Sequence, residues 1–334
     1  MSDTPVAPNE TRRGVLDVSV IIPTRNRAES LRDTLESLKA QGAHGRFTHE
    51  VVVVDNGSVD QTRQVVDALG RSFPVPLRYV LELNVGRPYA LNTGMRQAAG
   101  ELFVITDDDV LLHPDWLFAL WSSITEERAE AAAGRIVPRW LSAPPAWLTD
   151  DVRRDLNRTG LGCLDHGPRR LRTWAGDDCR WVGGNMAIRR EAMARVGGFD
   201  ERMIRGQDSE YYERCLAAGL RIVYEPAAVV AHLIGPDRLT LQYLRQWRHR
   251  QGVFEARRIP WKPLHLITVM PLWRWAVSLR IIGRWVAATL LGRSWWQRFY
   301  CELKVREEAG VWGERLRQWP RAWWVVRCGQ NRSA

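Results

Sequence analysis

Apolar positions along this chain fall into two alternating rhythms from residue 18 onward. Val18-Ser19-Val20-Ile21-Ile22-Pro23 is a compact apolar run closed by proline, and Val51-Val52-Val53-Val54 is a second. Both predict buried strands. Between them Leu31, Leu35 and Leu38 recur at helical spacing. The cycle then repeats. Asp60 can cap a helix through Val65, Val66 and Leu69, and Leu77 to Leu81 predicts a third strand. Tyr89 to Ala99 predicts a helix, and Leu102 to Thr106 a fourth strand. Strands alternating with helices predict an α/β fold built on a mainly parallel sheet with helices on its faces.

The rhythm dissolves from Arg135 to Arg180, where Pro138, Pro144, Pro145, Gly160, Gly162, Gly167 and Pro168 punctuate the chain and Trp140, Trp147 and Trp174 stand between them. A stretch of this length is expected to be functional, here a lid or acceptor-binding wall. Regular structure resumes with a strand over Trp181 to Ile188 and a helix from Arg190. A helix capped by Asp208 and stopped by Gly219 follows, then strands over Arg221 to Tyr224 and Ala227 to His232.

The net charge of +10 is unevenly placed. Residues 236–334 carry 19 Lys+Arg against 6 Asp+Glu, whereas residues 1–235 carry 29 against 32. Ten of the seventeen tryptophans lie in residues 261–324. A tail rich in both arginine and tryptophan favours a negatively charged interface. The five cysteines show no CxxC spacing, which points away from a zinc site and toward a reducing compartment. Residues 1–16 are polar and are expected to be flexible. They contain no apolar run of the secretory kind, so a cytoplasmic location is expected.

The chemistry concentrates at strand ends. Asp107-Asp108-Asp109 closes the fourth strand, and three adjacent carboxylates stay ionised cheaply only with a cation among them. Oxygen ligands select a hard ion such as Mg²⁺ or Mn²⁺. Thr24, Arg25, Asn26, Asp55, Asn56, Asn84 and Arg87 lie at other strand ends, where nucleotides bind in doubly wound folds. No G-x-G-x-x-G follows the first strand and no G-x-x-x-x-G-K-[ST] occurs, which makes dinucleotide oxidoreductases and P-loop enzymes poor candidates.

Taken in order, Val20-Ile21-Ile22-Pro23-Thr24-Arg25-Asn26, Val53-Val54-Asp55-Asn56-Gly57-Ser58, Asn84-Val85-Gly86 and Ala98-Ala99-Gly100 with the acidic triplet resemble a family 2 glycosyltransferase of the GT-A fold. So do Gly184-Asn185-Met186-Ala187, Gly197-Gly198-Phe199-Asp200, Asp208 with Glu210, and Tyr224-Glu225-Pro226 through His232. The likeness covers roughly residues 18–235. It implies an inverting transfer of a sugar from a nucleotide diphosphate donor to an acceptor hydroxyl. Pro23, Thr24, Arg25, Asp55, Arg87, Asp107, Asp108, Gly184 and Asn185 would line the donor pocket. Asp109, Asp107 and His232 would hold the metal, and Asp208 would be the catalytic base. The family usually has Glu-Asp where this chain has Gln207-Asp208. Gln242-x-x-Arg245-Gln246-Trp247 misses the Q-x-x-R-W of processive members by one residue, so a non-processive enzyme is expected. A nucleotidyltransferase and a non-catalytic sugar-nucleotide-binding scaffold are the alternatives. No nucleic-acid-binding module is recognisable, and none is expected as a partner.

Residues 264–292 are long and apolar enough in outline to suggest a membrane, yet Arg274, Arg280 and Arg284 interrupt them. Each central arginine costs about 3 kcal/mol on insertion scales. By 100° steps the three arginines share one stripe, which predicts an amphipathic helix lying in the membrane surface. That expectation suits an enzyme bound to the inner face of the cell membrane and acting on a lipid-linked saccharide.

Overall fold

The computed structural model describes residues 17–330 apart from 157–159, 204, 260 and 263; the expected flexible lead, residues 1–16, lies outside them. The chain divides into two compact units. The first comprises residues 17–139 and 163–233, and the second residues 140–162 and 234–330.

The first unit begins β1 (Val18–Thr24), α1 (Ala28–Lys39), β2 (His49–Asp55), α2 (Thr62–Gly70), β3 (Leu77–Leu81), α3 (Arg87–Gln97) and β4 (Leu102–Thr106). It continues with β5 (Val110–Leu112), α4 (Trp116–Glu126), β6 (Ala131–Trp140), then, after α5 (Asp150–Leu156) of the second unit, β7 (Leu171–Arg172). It ends with β8 (Asn185–Arg189), α6 (Arg190–Val196), α7 (Gln207–Ala217) and β9 (Ile222–Ile234). The sheet order is β3-β2-β1-β4-β8-β6-β9-β5, with β7 beside β9. β3, β2, β1 and β4 are parallel, but β8 runs antiparallel to both β4 and β6, and β5 and β7 run antiparallel to β9. The sheet is therefore mixed rather than mainly parallel. The chain reaches β8 across residues 163–184 instead of through a helical crossover, and so enters it from the opposite end. One long strand, β9, replaces the two separate strands expected around Pro226.

Alternate residues along each central strand serve opposite faces. Val20, Ile22, Val51 and Val53 pack with Leu31, Leu35 and Trp116, whereas Ile21, Val52 and Val54 pack with Leu91, Met95 and Trp181. This double burial explains the unbroken apolar runs. Gly100 is fixed by close approach, since a Cβ there would lie 2.6 Å from backbone atoms of Val18 and Ser19. The chain winds outward from β1 through β2 to β3, then crosses back to β4 on the other flank of β1. The switch point lies at the carboxyl ends of β1 and β4, where such sheets bind ligands.

Part of the Pro/Gly-rich stretch is tied into this unit. Ile136 bridges Leu164, β7 pairs with β9 through Leu171 and Tyr224, and Arg172 Nε donates to Glu127 at 2.8 Å. Residues 140–162 belong instead to the second unit.

That unit contains α5, α8 (Leu241–Arg258), the short α9 (His265–Thr268), α10 (Leu272–Leu290) and α11 (Trp295–Gln330), whose last ten residues are described as helical backbone only. Arg245 pairs with Glu302, Arg257 with Glu314 and Trp261 with Gln318, each at an offset of 57 residues. A constant offset means that α8 and α11 run parallel. A Cβ on Gly252 would lie 3.0 Å from the Val311 nitrogen, and one on Gly310 3.0 Å from the Val253 nitrogen, so the two backbones nearly touch. Arg315 is fully buried, stacks 3.5 Å from the Trp261 ring centre and donates to the Ile259 and Val269 carbonyls. Residues 140–162 are part of the packing: Trp147 lies 6.3 Å from Trp295, Trp296 Nε1 donates to Asp155 at 2.9 Å, and the Tyr243 hydroxyl to the Gly160 carbonyl at 3.2 Å. Arg274 does not share an outward stripe with Arg280 and Arg284. It turns inward to Glu308 at 2.6 Å because that carboxylate is nearly buried and needs a cation.

Two outcomes follow for the first unit. Gly100→Ala should cost about 1–3 kcal/mol, read as a lower urea midpoint, because backbone must move to admit a methyl group. Glu127 is held down to about 2, chiefly by its hydrogen bonds to Arg172 and then by Arg170, against the opposing effect of burial. Its contribution to stability is complete above about 4.5 and is lost as pH falls toward about 2. Glu127→Gln should therefore lower the melting temperature at pH 7 and progressively less as the medium is acidified below pH ~4.

Candidate active site

The acidic triplet leaves β4 at the switch point, and its members are neutralised from different sides. Thr24 Oγ1, at the end of β1, donates to Asp108 Oδ2 at 2.7 Å. Arg27, in the turn entering α1, donates through Nη1 to Asp109 Oδ2 at 2.7 Å and to Asp108 Oδ1 at 3.1 Å. His232 on β9 sits opposite Val110 in register, which brings its Nε2 to 3.5 Å from Asp109 Oδ2. Burial is the main force on Asp108 and pushes its carboxyl up to about 6; Asp109 acts in the same sense, while Arg27 and Thr24 oppose it. Burial works against the Arg27 charge, but Asp108 and Asp109 outweigh it and hold the guanidinium above its ordinary range.

Asp107 turns the other way. Arg87, at the start of α3, donates from one nitrogen to both Asp107 Oδ1 and, at 3.0 Å, the Gly183 carbonyl. The Gly183 N–H donates to Asp208 Oδ2 at 3.1 Å, and the Ser209 N–H to Asp208 Oδ1 at 2.9 Å. Trp181 is buried and fixes the start of α7 by donating to the Asp208 carbonyl at 2.9 Å. A side chain at Gly184 would run into Asp107, and one at Gly183 would lie 2.6 Å from Arg87. The glycine pair thus lets the backbone pass between Asp107 and Asp208. Glu210 is engaged with Arg214 on the same helix at 2.5 Å. Gln207 is buried and its amide oxygen has no hydrogen-bond partner.

The neighbouring loops are stitched together. Asp55, at the end of β2, accepts from the Ser58 N–H at 2.8 Å and the Tyr79 hydroxyl at 2.7 Å. Burial first, and then Asp55, pushes the Tyr79 hydroxyl up to about 12, so it stays a donor. Asn56 donates to the Glu82 and Asn84 carbonyls and accepts from the Gly86 N–H. Asn26 accepts from the Val59 N–H at 2.8 Å, and Asp60 accepts from the Ala28 N–H at 3.0 Å. A cavity of about 570 Å³ opens there, lined by Asn26, Arg27, Ser30, Asp60 and Gln61.

Thr24, Arg87, Asp107, Asp108, Asp109, Gly184, Asp208 and His232 thus converge. Pro23 is a buried strand residue paired with Val54, and Arg25 is exposed. Asn185 is committed to the core. Its amide donates to the Arg135 and Ala228 carbonyls and its oxygen accepts from Trp116 Nε1 at 2.9 Å, which uses its hydrogen-bonding capacity inside the sheet. Two further residues take part. Arg27 reads as an ordinary helix-entrance charge, its one signal being its place three residues after Thr24. Gly183 acts through its backbone alone. Among the described residues no three His, Cys, Asp or Glu side chains form a complete metal cage. Asp109 and His232 do form a pair of hard and borderline donors on one point, with the Arg27 guanidinium lying against the same carboxylate. Such a pair fits a cation that takes its remaining ligands from a phosphorylated substrate and water.

The sequence profile described as glycosyl transferase family 2 matches residues 19–197, more than half of the 334-residue chain. The chain belongs to that family. It is 28% identical over 281 residues to a pre-mycofactocin glycosyltransferase of Mycobacterium tuberculosis, covering 83% of this chain but 54% of the relative. This chain thus spans about half the length of that relative. It is 26% identical to the succinoglycan biosynthesis protein ExoM of Rhizobium meliloti, covering 75% of this chain and 76% of that one. It is 25% identical to a glucosyl-dolichyl phosphate glucuronosyltransferase of Haloferax volcanii, with 69% and 73% covered. The fold is shared with the mannosyltransferase PcManGT of Pyrobaculum calidifontis, solved with GDP-Man and Mn²⁺, at a TM-score of 0.58 and 23% identity over 93% of this chain and 90% of that one. This family 2 chain therefore has the GT-A architecture.

Arg87 links Asp107 to the Gly183 carbonyl. Arg87→Met should leave two part-buried acceptors without a donor and lower stability by about 1–3 kcal/mol, measured by urea unfolding.

Proposed function

We propose that this chain is an inverting, divalent-cation-dependent glycosyltransferase that moves a sugar from a nucleotide diphosphate donor to a hydroxyl of a saccharide acceptor, one sugar at a time. The observation that carries it is the placing of the Asp109–His232 pair and of Asp208 around one strand end, joined through Asp107, Arg87 and Gly183. Asp109 and His232 would hold Mg²⁺ or Mn²⁺, which when bound offsets charge on the departing diphosphate. The solved PcManGT complex with GDP-Man and Mn²⁺ supports a nucleotide-sugar donor and a divalent cation. Thr24, Arg25, Asp55 and Asp108 line the donor side, with Arg27 placed to carry positive charge toward the phosphates. Asp208 takes the proton of the attacking hydroxyl, since inversion in one displacement needs a single carboxylate base. Two backbone N–H groups orient that carboxylate, and each oxygen keeps a further lone pair for the acceptor.

The acceptor is a lipid-linked saccharide met at the inner, cytoplasmic face of the cell membrane. The name of the glucosyl-dolichyl phosphate glucuronosyltransferase supports a lipid phosphate as the carrier, and that of ExoM supports a polysaccharide product. Among the described residues no helix is long and apolar enough to cross a membrane, while α10 exposes Leu272, Leu279 and Leu290. Peripheral binding accommodates both facts.

Thermal-shift measurements with UDP, GDP and dTDP and their sugars, each with Mn²⁺, should give metal-dependent stabilisation by one base; no stabilisation by any of them overturns the proposal. Asp208→Asn should lower transfer by roughly 100- to 10,000-fold with donor binding retained. Asp109→Ala, or removal of metal by EDTA, should weaken donor binding itself.

A further inference from the structure

The second unit holds a cavity of about 480 Å³ lined by Glu255, Arg258, Lys262, His265, Trp273 and Arg274 among others. Three permanent cations and one acid line it, and a second acid, Glu308, pairs with Arg274. Arg274 lines it with a nearly buried side chain, paired with Glu308 at 2.6 Å and Glu255 at 3.5 Å. α10 starts at the rim with no acidic residue in its first turn, so its free amide ends add to the positive field. Trp273 of the lining is 58% exposed, and Leu264, Ile267 and Leu272, next to lining residues in the chain, are 52%, 79% and 61% exposed.

The surface beyond continues both properties. By 100° steps along α10, Leu272, Leu279, Val286 and Leu290 fall within a narrow sector, with Arg280 about 100° and Arg284 about 140° around the helix from its centre. All four apolar side chains are exposed. Between Glu255 and Glu302 the chain carries no acidic residue at all, but eight Lys and Arg. A face of this kind combines exposed leucines with a marked excess of positive charge, and an anionic bilayer satisfies both.

We propose that this cavity binds the phosphate of an anionic lipid headgroup, with the exposed face of α10 lying in the bilayer surface around it. Arg258 and Lys262 face the phosphate, Trp273 sits at headgroup depth beside it, and Arg274 stays behind them on Glu308. The cavity converts a diffuse electrostatic attraction into a fixed grip on one lipid. This deepens the membrane reading given above and rests on it.

Co-sedimentation of the full chain with vesicles of phosphatidylglycerol and phosphatidylcholine, and with phosphatidylcholine alone, tests it. The wild-type chain should bind the anionic vesicles at least tenfold more tightly. Arg258→Gln with Lys262→Gln should remove roughly tenfold or more of that affinity, and more than Arg280→Gln with Arg284→Gln, which lose the same charge outside the cavity. Equal losses from the two pairs overturn the headgroup site while leaving peripheral binding standing. No binding of the wild-type chain to either vesicle overturns both. Saturable protection by inorganic phosphate without vesicle binding assigns the cavity to a free anion and overturns the lipid. Unchanged stabilisation by nucleotide and Mn²⁺ in both variants keeps the fold and the transferase site out of the comparison.

Discussion

Three carboxylates in succession at the end of a buried strand repel one another, and the surrounding structure is arranged to relieve that repulsion. Two guanidinium groups arrive from opposite directions. Arg27, in the turn before α1, answers Asp108 and Asp109, while Arg87, at the head of α3, answers Asp107. Thr24 adds a hydroxyl and His232 an imidazole. Each partner comes from a different strand or turn, so the charges at one strand end hold four separate parts of the fold in place. The same arrangement divides the triplet chemically. Asp109 is left beside His232 and the Arg27 guanidinium, Asp108 is enclosed with its carboxyl pushed up to about 6, and Asp107 is tied through Arg87 to Gly183, whose N–H donates to Asp208.

Glycine makes that division possible. Gly183 and Gly184 let a polypeptide segment slip between carboxylates that any side chain would separate. The same device recurs far from the site. Gly100 lets the chain before β4 lie directly against β1, and Gly252 with Gly310 lets α8 and α11 touch along their backbones. At these positions the missing side chain sets the distance between elements, and the ion pairs set their register.

Most of the parallel half was legible because buried strands there serve both faces and read as unbroken apolar runs, and because strand-end residues such as Thr24, Asp55 and Asp107 are polar where a core residue would otherwise stand. β5 escaped because three residues carry no period. The antiparallel half escaped because strand direction depends on how the chain returns, and the Pro/Gly-rich stretch before β8 hides that return. Asn185 has the look of a ligand contact, but its neighbours Trp116, Arg135 and Ala228 come from distant positions that no local spacing reveals. Arg274 likewise follows the helical stripe of Arg280 and Arg284 until Glu308, far along the chain, draws it inward.

The second unit is assembled from two separated pieces of chain, and this bears on how the protein can be cut or fused. Residues 140–162 leave the sheet after β6, bury Val152 and Leu156, dock against α8 and α11 through Tyr243, Trp295 and Trp296, and return to complete the first unit. A chain ended at Gly235 would strip the cover from that excursion and leave an apolar loop in the middle of the first unit. The carboxyl-terminal helices are therefore not a detachable tail. Any exchange of this unit between relatives has to move the excursion and the helices together.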